Sequence, residues 1–109
     1  MRGHDIVIAP APGTVRVVVD GELVAESDRA LALDETGSPL RYYLPREDIT
    51  AELRPSDHHT WCPFKGRAAY HSVGTQENVA WCYPEPKPGV AEIRGHVAFY
   101  GERAEITAG

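Results

Sequence analysis

The side chains that could do chemistry crowd into Pro55 to Ser72, which holds His58, His59, Trp61, Cys62, Lys65, Tyr70 and His71, and into Asn78 to Pro84, which adds Trp81, Cys82 and Tyr83. Several chemistries fit these residue types. Lys65, just before Gly66, and Arg46 form a candidate clamp for a carboxylate or phosphate, since arginine supplies a planar fork and lysine a point charge. The plainer reading of Lys65 is a solvated turn at a hairpin tip. Trp61, Trp81, Tyr70 and Tyr83, with Tyr43, either fill a core or line a pocket that holds a ring or a cation by stacking. Cys62 is a small apolar residue between aromatics, or a nucleophile if one of His58, His59 and His71 serves it as base.

A mixed His/Cys zinc site draws on acceptable ligands, but the spacing matches no standard knuckle. Adjacent histidines on a strand also point to opposite faces. No metal and no cofactor is therefore expected. Glu47 and Asp48 follow Arg46 where acids complement a helix N-terminus, and general-base work by Glu47 or Glu77 would need burial that raises its pKa. Ser27 to Ala30 reads as a turn capped by its own polar side chains. A Gly-x-Ser-x-Gly elbow, a phosphate loop, a dinucleotide fingerprint and a His-Glu-x-x-His helix are all missing, and those enzyme classes lose their support.

These residues have to be positioned by short strands. The 109 residues suit one domain spanning the whole chain, at 42% hydrophobic and 25% charged. Ile6 to Ala9 is an apolar run ended by Pro10. Val15 to Val19 and Leu23 to Ala25 flank Asp20-Gly21, the signature of a two-residue hairpin with positive φ at both turn positions. Ala30 to Leu33, a turn at Asp34 to Pro39 and Leu40 to Leu44 come next. Pro45 to Leu53 is the one segment with a helical start, with proline in the first turn. Thr60 to Phe64, Arg67 to Val73, Val79 to Tyr83 and Ile93 to Tyr100 read as further strands, with a rigid proline-rich loop at Pro84 to Gly89. The fold class is mainly β and antiparallel, with one short helix. Strand alternation puts Trp81 and Tyr83 on one face and Cys82 on the other.

Sixteen acids against eleven bases give a net charge of −5, which disfavours nucleic acid as a partner while leaving room for a small anion in a local basic pocket. The longest apolar runs are far below the roughly 20 residues of a membrane span, and the first residues lack the apolar core of a signal peptide. A cytoplasmic protein with reduced Cys62 and Cys82 is expected.

Five blocks in order carry a resemblance: Val24 to Ala30, Tyr42 to Asp48, Thr60 to Ala68, Glu77 to Pro84, and Gly95 to Tyr100. In these the chain resembles the domain of unknown function 427 family. The resemblance implies a small antiparallel domain of the β-tent kind, a fold shared with zinc-bound ligand-binding domains, and implies no activity. It departs from the zinc-bearing members of that fold in lacking paired Cys-x-x-Cys knuckles. The expected function is recognition of a small polar or anionic metabolite by Arg46, Thr60, Trp61, Cys62, Lys65, Tyr70, Trp81 and Tyr83. The alternatives are a small enzyme using Cys62, His71 or Glu47 in the same pocket, and a module whose aromatic face meets another protein or a second copy of the chain.

Overall fold

Ten strands in two antiparallel sheets build the fold, and the computed structural model describes residues 3–109. The strands are β1 (Ile6–Pro10), β2 (Val15–Val19), β3 (Glu22–Ser27), β4 (Leu31–Glu35), β5 (Arg41–Pro45), β6 (Arg54–Cys62), β7 (Gly66–Val73), β8 (Gln76–Cys82), β9 (His96–Phe99) and β10 (Glu105–Ala108). Seven of them form one sheet in the order β1-β4-β5-β9-β8-β7-β6, and the other three form a second sheet in the order β10-β2-β3.

Local chemistry accounts for the best-defined turn. Asp20 and Gly21 take φ values of 53° and 82°, which a two-residue hairpin requires and which aspartate and glycine tolerate. The Asp20 carboxylate then accepts hydrogen bonds from the Thr75 backbone N–H (2.7 Å) and hydroxyl (2.9 Å), so the tip of the small sheet is tied to the β7–β8 turn of the large one.

The large sheet is apolar on both faces, and each face has its own partner. Leu44, Val79, Ala80, Val97 and Phe99 pack against Val15, Val17, Val19, Val24 and Ala25 of the small sheet. On the opposite face Leu33, Tyr43, Ala68, Tyr70, Trp81 and Ala98 form a second cluster, closed at one end by Val90 and Ile93. Register explains the division, because Leu33 pairs with Arg41, Tyr43 with Ala98, Trp81 with Ala98 and Tyr70 with Trp81, and directly paired residues share a face.

The helical segment expected at Pro45 to Leu53 shrinks to one 3₁₀ turn, Arg46–Asp48. Ser27 and Arg29 hold Asp48, at 2.6 Å and 3.1 Å, and Arg29 also reaches Glu47, so the turn is pinned to the β3–β4 corner and the chain leaves it extended. A second 3₁₀ segment, Pro88–Ile93, begins at the end of the proline-rich loop of Pro84 to Gly89 and takes up Ile93, so the strand expected from Ile93 starts only at His96. There Pro88 stands in the first turn, where a missing N–H costs nothing, and Val90 and Ile93 are buried. Strand β10 was not expected. It is short, and only Ile106 of its residues packs on the core.

Phe99 and Val17 are fully buried at the junction of the two sheets. Phe99→Ala should lower the unfolding free energy by about 3–5 kcal/mol through lost burial and a residual cavity, measured as a reduced urea midpoint with an unchanged m-value.

A polar cleft on the curled sheet

The large sheet curls so that its two ends meet over the aromatic face. Glu35, at the end of β4, and Lys65, in the β6–β7 turn, belong to opposite ends of the strand order, yet the Lys65 ammonium donates to Glu35 Oε1 in a direct ion pair. Their side chains are only 9% and 10% exposed. The other oxygen of Glu35 lies 2.8 Å from His4 Nε2, and the His4 ring stacks on Phe64 with centroids 3.9 Å apart. The pair and the stacked rings clasp the first and last strands together.

Beneath the clasp is a cleft of about 170 Å³, walled by Tyr43, Tyr70, Tyr83, Tyr100 and Trp81 and carrying Arg41, Glu35 and Lys65. Trp81 Nε1–H donates to the Tyr43 hydroxyl at 3.2 Å. The Tyr70 hydroxyl bridges Thr60 Oγ1 (3.0 Å) and the Tyr100 hydroxyl (3.2 Å). The Arg41 guanidinium lies 5.3 Å from the ring centroids of both Trp81 and Tyr100, and Lys65 Nζ lies 5.9 Å from that of Tyr83, each within cation–π range. Among the described residues the Tyr83 hydroxyl has no hydrogen-bond partner.

The electrostatics follow from burial. Burial pushes the Tyr43 and Tyr83 phenols well above their usual range, and it does the same for Tyr100, helped by its hydrogen bond with Tyr70. All three stay neutral donors and acceptors across the physiological range. Burial alone would raise Glu35, but hydrogen bonds from Lys65 and His4 outweigh it and hold the carboxyl below its ordinary value.

The predicted site residues divide between the two faces. Thr60, Cys62, Lys65, Tyr70, Trp81 and Tyr83 lie on or beside the cleft face. Lys65 is buried rather than solvated at a tip, because the curl carries Glu35 to it. Trp61, one residue out of phase with Thr60 and Cys62, points to the other face, where it is 65% exposed and lines a groove of about 400 Å³ with Lys87 stacked 5.3 Å from its ring. Arg46 also leaves the cleft. It follows Pro45 on the side of Cys82 and Val97 and does not meet Lys65. Arg41 supplies the arginine in its place, since it shares strand parity with Tyr43.

The proposed nucleophile and bases do not gather either. Cys62 borders the aromatic cluster of the cleft, His71 is buried on the opposite face, and Glu47 is an exposed partner of Arg29. His58 packs edge-on against Tyr70 at 4.6 Å, while His59 turns to the groove of Trp61. Among the described residues no three His, Cys, Asp or Glu side chains converge as a metal-binding group.

The residues that sequence reasoning missed are Glu35, Arg41, Tyr100 and His4. Arg41 was open to discovery, because Arg41 and Tyr43 alternate along one strand. Glu35 and His4 carried no such signal, since their roles depend on how the sheet curls.

The model of one protein family matches residues 7–108, nearly the whole chain. The chain belongs to the domain of unknown function 427 (DUF427) family. No curated protein matches it. The matched span of this DUF427 chain contains Glu35, Arg41, Lys65, Trp81 and Tyr100, so every wall of the cleft is built from the family domain; only His4 of the clasp stands outside it.

Two predictions test this geometry. Glu35→Gln leaves the Lys65 ammonium without its counter-charge and should cost about 3 kcal/mol, whereas the double change Glu35→Leu with Lys65→Met should recover most of it; urea denaturation of the three proteins checks both. His71, whose pKa is depressed first by burial and then by the Arg46 charge, is buried with an unpartnered Nδ1. Its folded pKa lies below the unfolded 6.5, so its contribution is fully present above pH 6.5 and is lost as pH falls through the folded value. Melting temperature should therefore decline as pH drops below 6.5, and His71→Gln should flatten that decline.

Proposed function

We propose that this DUF427 domain is a binding module for a small polar or anionic metabolite, held in the cleft between Arg41 and the Lys65–Glu35 pair. The observation that carries the reading is the Arg41 guanidinium held over Trp81 and Tyr100, its closest acid being the exposed Glu102 at 3.7 Å. A planar fork with a weak protein partner, set in an aromatic wall, has donors left for a carboxylate or phosphate. Tyr83 adds a neutral hydroxyl without a partner among the described residues, and Lys65 places a second cation in the wall.

Size restricts the ligand further. A cleft of about 170 Å³ is well under the roughly 300–1,000 Å³ of sites that enclose drug-sized molecules, which favours a compact metabolite over a nucleotide. Binding would rest on charge-assisted hydrogen bonds from Arg41, with the ligand body against Trp81 and Tyr100. A buried ion pair is a weak source of net stability, and this one, besides closing the curl, sets charge in the cleft wall where a polar ligand can be oriented.

Two antiparallel sheets, one curled, support describing the domain as β-tent-like. A cytoplasmic setting accords with Cys62 and Cys82, both unbridged and turned to opposite faces of the large sheet.

A thermal-shift screen with small mono- and dicarboxylates and phosphate monoesters, run on the wild-type chain and on Arg41→Ala, tests the reading. A ligand at a hundred times its dissociation constant should add about 2.7 kcal/mol of stability. The shift should vanish in Arg41→Ala. A shift of equal size in the variant, or no shift with any anion, rules out the cleft as the site.

A further inference from the structure

The face of the large sheet opposite the cleft carries a second concavity that the cleft reading does not use. It is a groove of about 280 Å³ lined by Arg46, Cys82, Pro84, Arg94, His96 and Val97, with Tyr83 as the wall it shares with the cleft. Its titratable side chains are the two arginines, His96 and the Cys82 thiol, while the Tyr83 ring lies on the cleft side against Lys65. In a chain with sixteen Asp and Glu, none lines this groove. Arg46 is in no ion pair among the described residues, and Arg94 makes only a long bond, 3.4 Å, to the Pro84 carbonyl. The His96 Nδ1 is engaged with the Arg94 carbonyl at 3.0 Å, which leaves its Nε2 toward solvent and ligand.

The floor is of another character. Cys82 and Val97 are buried members of the inter-sheet core, and burial keeps the Cys82 thiol protonated, so the base of the groove is uncharged and apolar. Two guanidiniums border one apolar groove, and among the described residues no carboxylate pairs with either. Their complement is a single anionic group on an apolar body.

We propose that this groove is a second ligand site, selective for a small carboxylate with a compact apolar body, its carboxylate between Arg46 and Arg94 and its body against Cys82, Pro84 and Val97. The two sites differ in character: the cleft is lined by hydroxyls and charged groups, whereas the groove offers charge only at its rim. Arg46, predicted as half of a clamp with Lys65, takes Arg94 as its partner instead.

Benzoate is the probe, with benzyl alcohol and inorganic phosphate as comparators, titrated into the full chain at low ionic strength by calorimetry and by amide chemical shifts. Benzoate should bind and displace the amide signals of Gly95 and Val97. Arg46→Ala and Arg94→Ala should each weaken it by about tenfold or more, as loss of a charged hydrogen bond does. The Gly95 and Val97 shifts should persist in Arg41→Ala, which separates this site from the cleft whether or not the cleft binds anything. Equal affinity for benzyl alcohol would remove the role of charge, and equal affinity for phosphate would remove that of the apolar floor. Displacement of Trp81 and Tyr100 signals in place of Gly95 and Val97, or benzoate affinity unchanged in both arginine variants, would also overturn the proposal.

Discussion

The buried pair between Lys65 and Glu35 is the contact on which the cleft depends. A seven-stranded sheet left to its ordinary twist would hold β4 and the β6–β7 turn well apart. The pair joins them, and the stacked rings of His4 and Phe64 reinforce the closure from the sheet's other edge strand. Once the sheet is curled, Trp81, Tyr43, Tyr70 and Tyr100 face inward together, and the hydroxyls can find one another. The aromatic cluster shields the ion pair from water, so each makes the other more effective.

The opposite face obeys a different constraint. There the small sheet covers Leu44, Val79, Ala80 and Phe99, but it does not extend over the ends of β7, β8 and β9. The uncovered end leaves Arg46, Arg94 and the exposed Trp61 at the surface. Strand alternation thus decides chemistry as well as packing. A step of one residue, from Cys62 to Trp61 or from Trp81 to Cys82, moves a side chain from the cleft to the other face.

That alternation made part of the molecule legible in the sequence. Asp20-Gly21 announced the hairpin because few residues accept positive φ at two adjacent positions. Period two alone predicts Trp81 and Tyr83 on one face and Cys82 on the other, and the two core clusters divide them in that way. The clamp of Arg46 with Lys65 went astray for a related reason: both belong to family blocks, but block membership does not report the face. The same parity along β5 puts Arg41 and Tyr43 on one face, and that face is the cleft. The contact between Glu35 and Lys65 was not readable, since it joins residues that neither strand period nor hydrogen-bonded neighbours connect. The short helix expected after Pro45 is confined to a single 3₁₀ turn because Ser27 and Arg29 hold Asp48 to the corner of β3 and stop it there.

Tyr83 is the one residue that lines both concavities, and its position follows from the same geometry. It stands just beyond the end of β8, where the sheet gives way to the proline-rich segment, so one wall serves the cleft while its backbone and neighbours border the groove. Its phenol is held neutral by burial and lies under the Lys65 ammonium, while Pro84 next to it accepts from Arg94. The two faces of the sheet thus share this one residue, although the side chains that line their concavities differ in character.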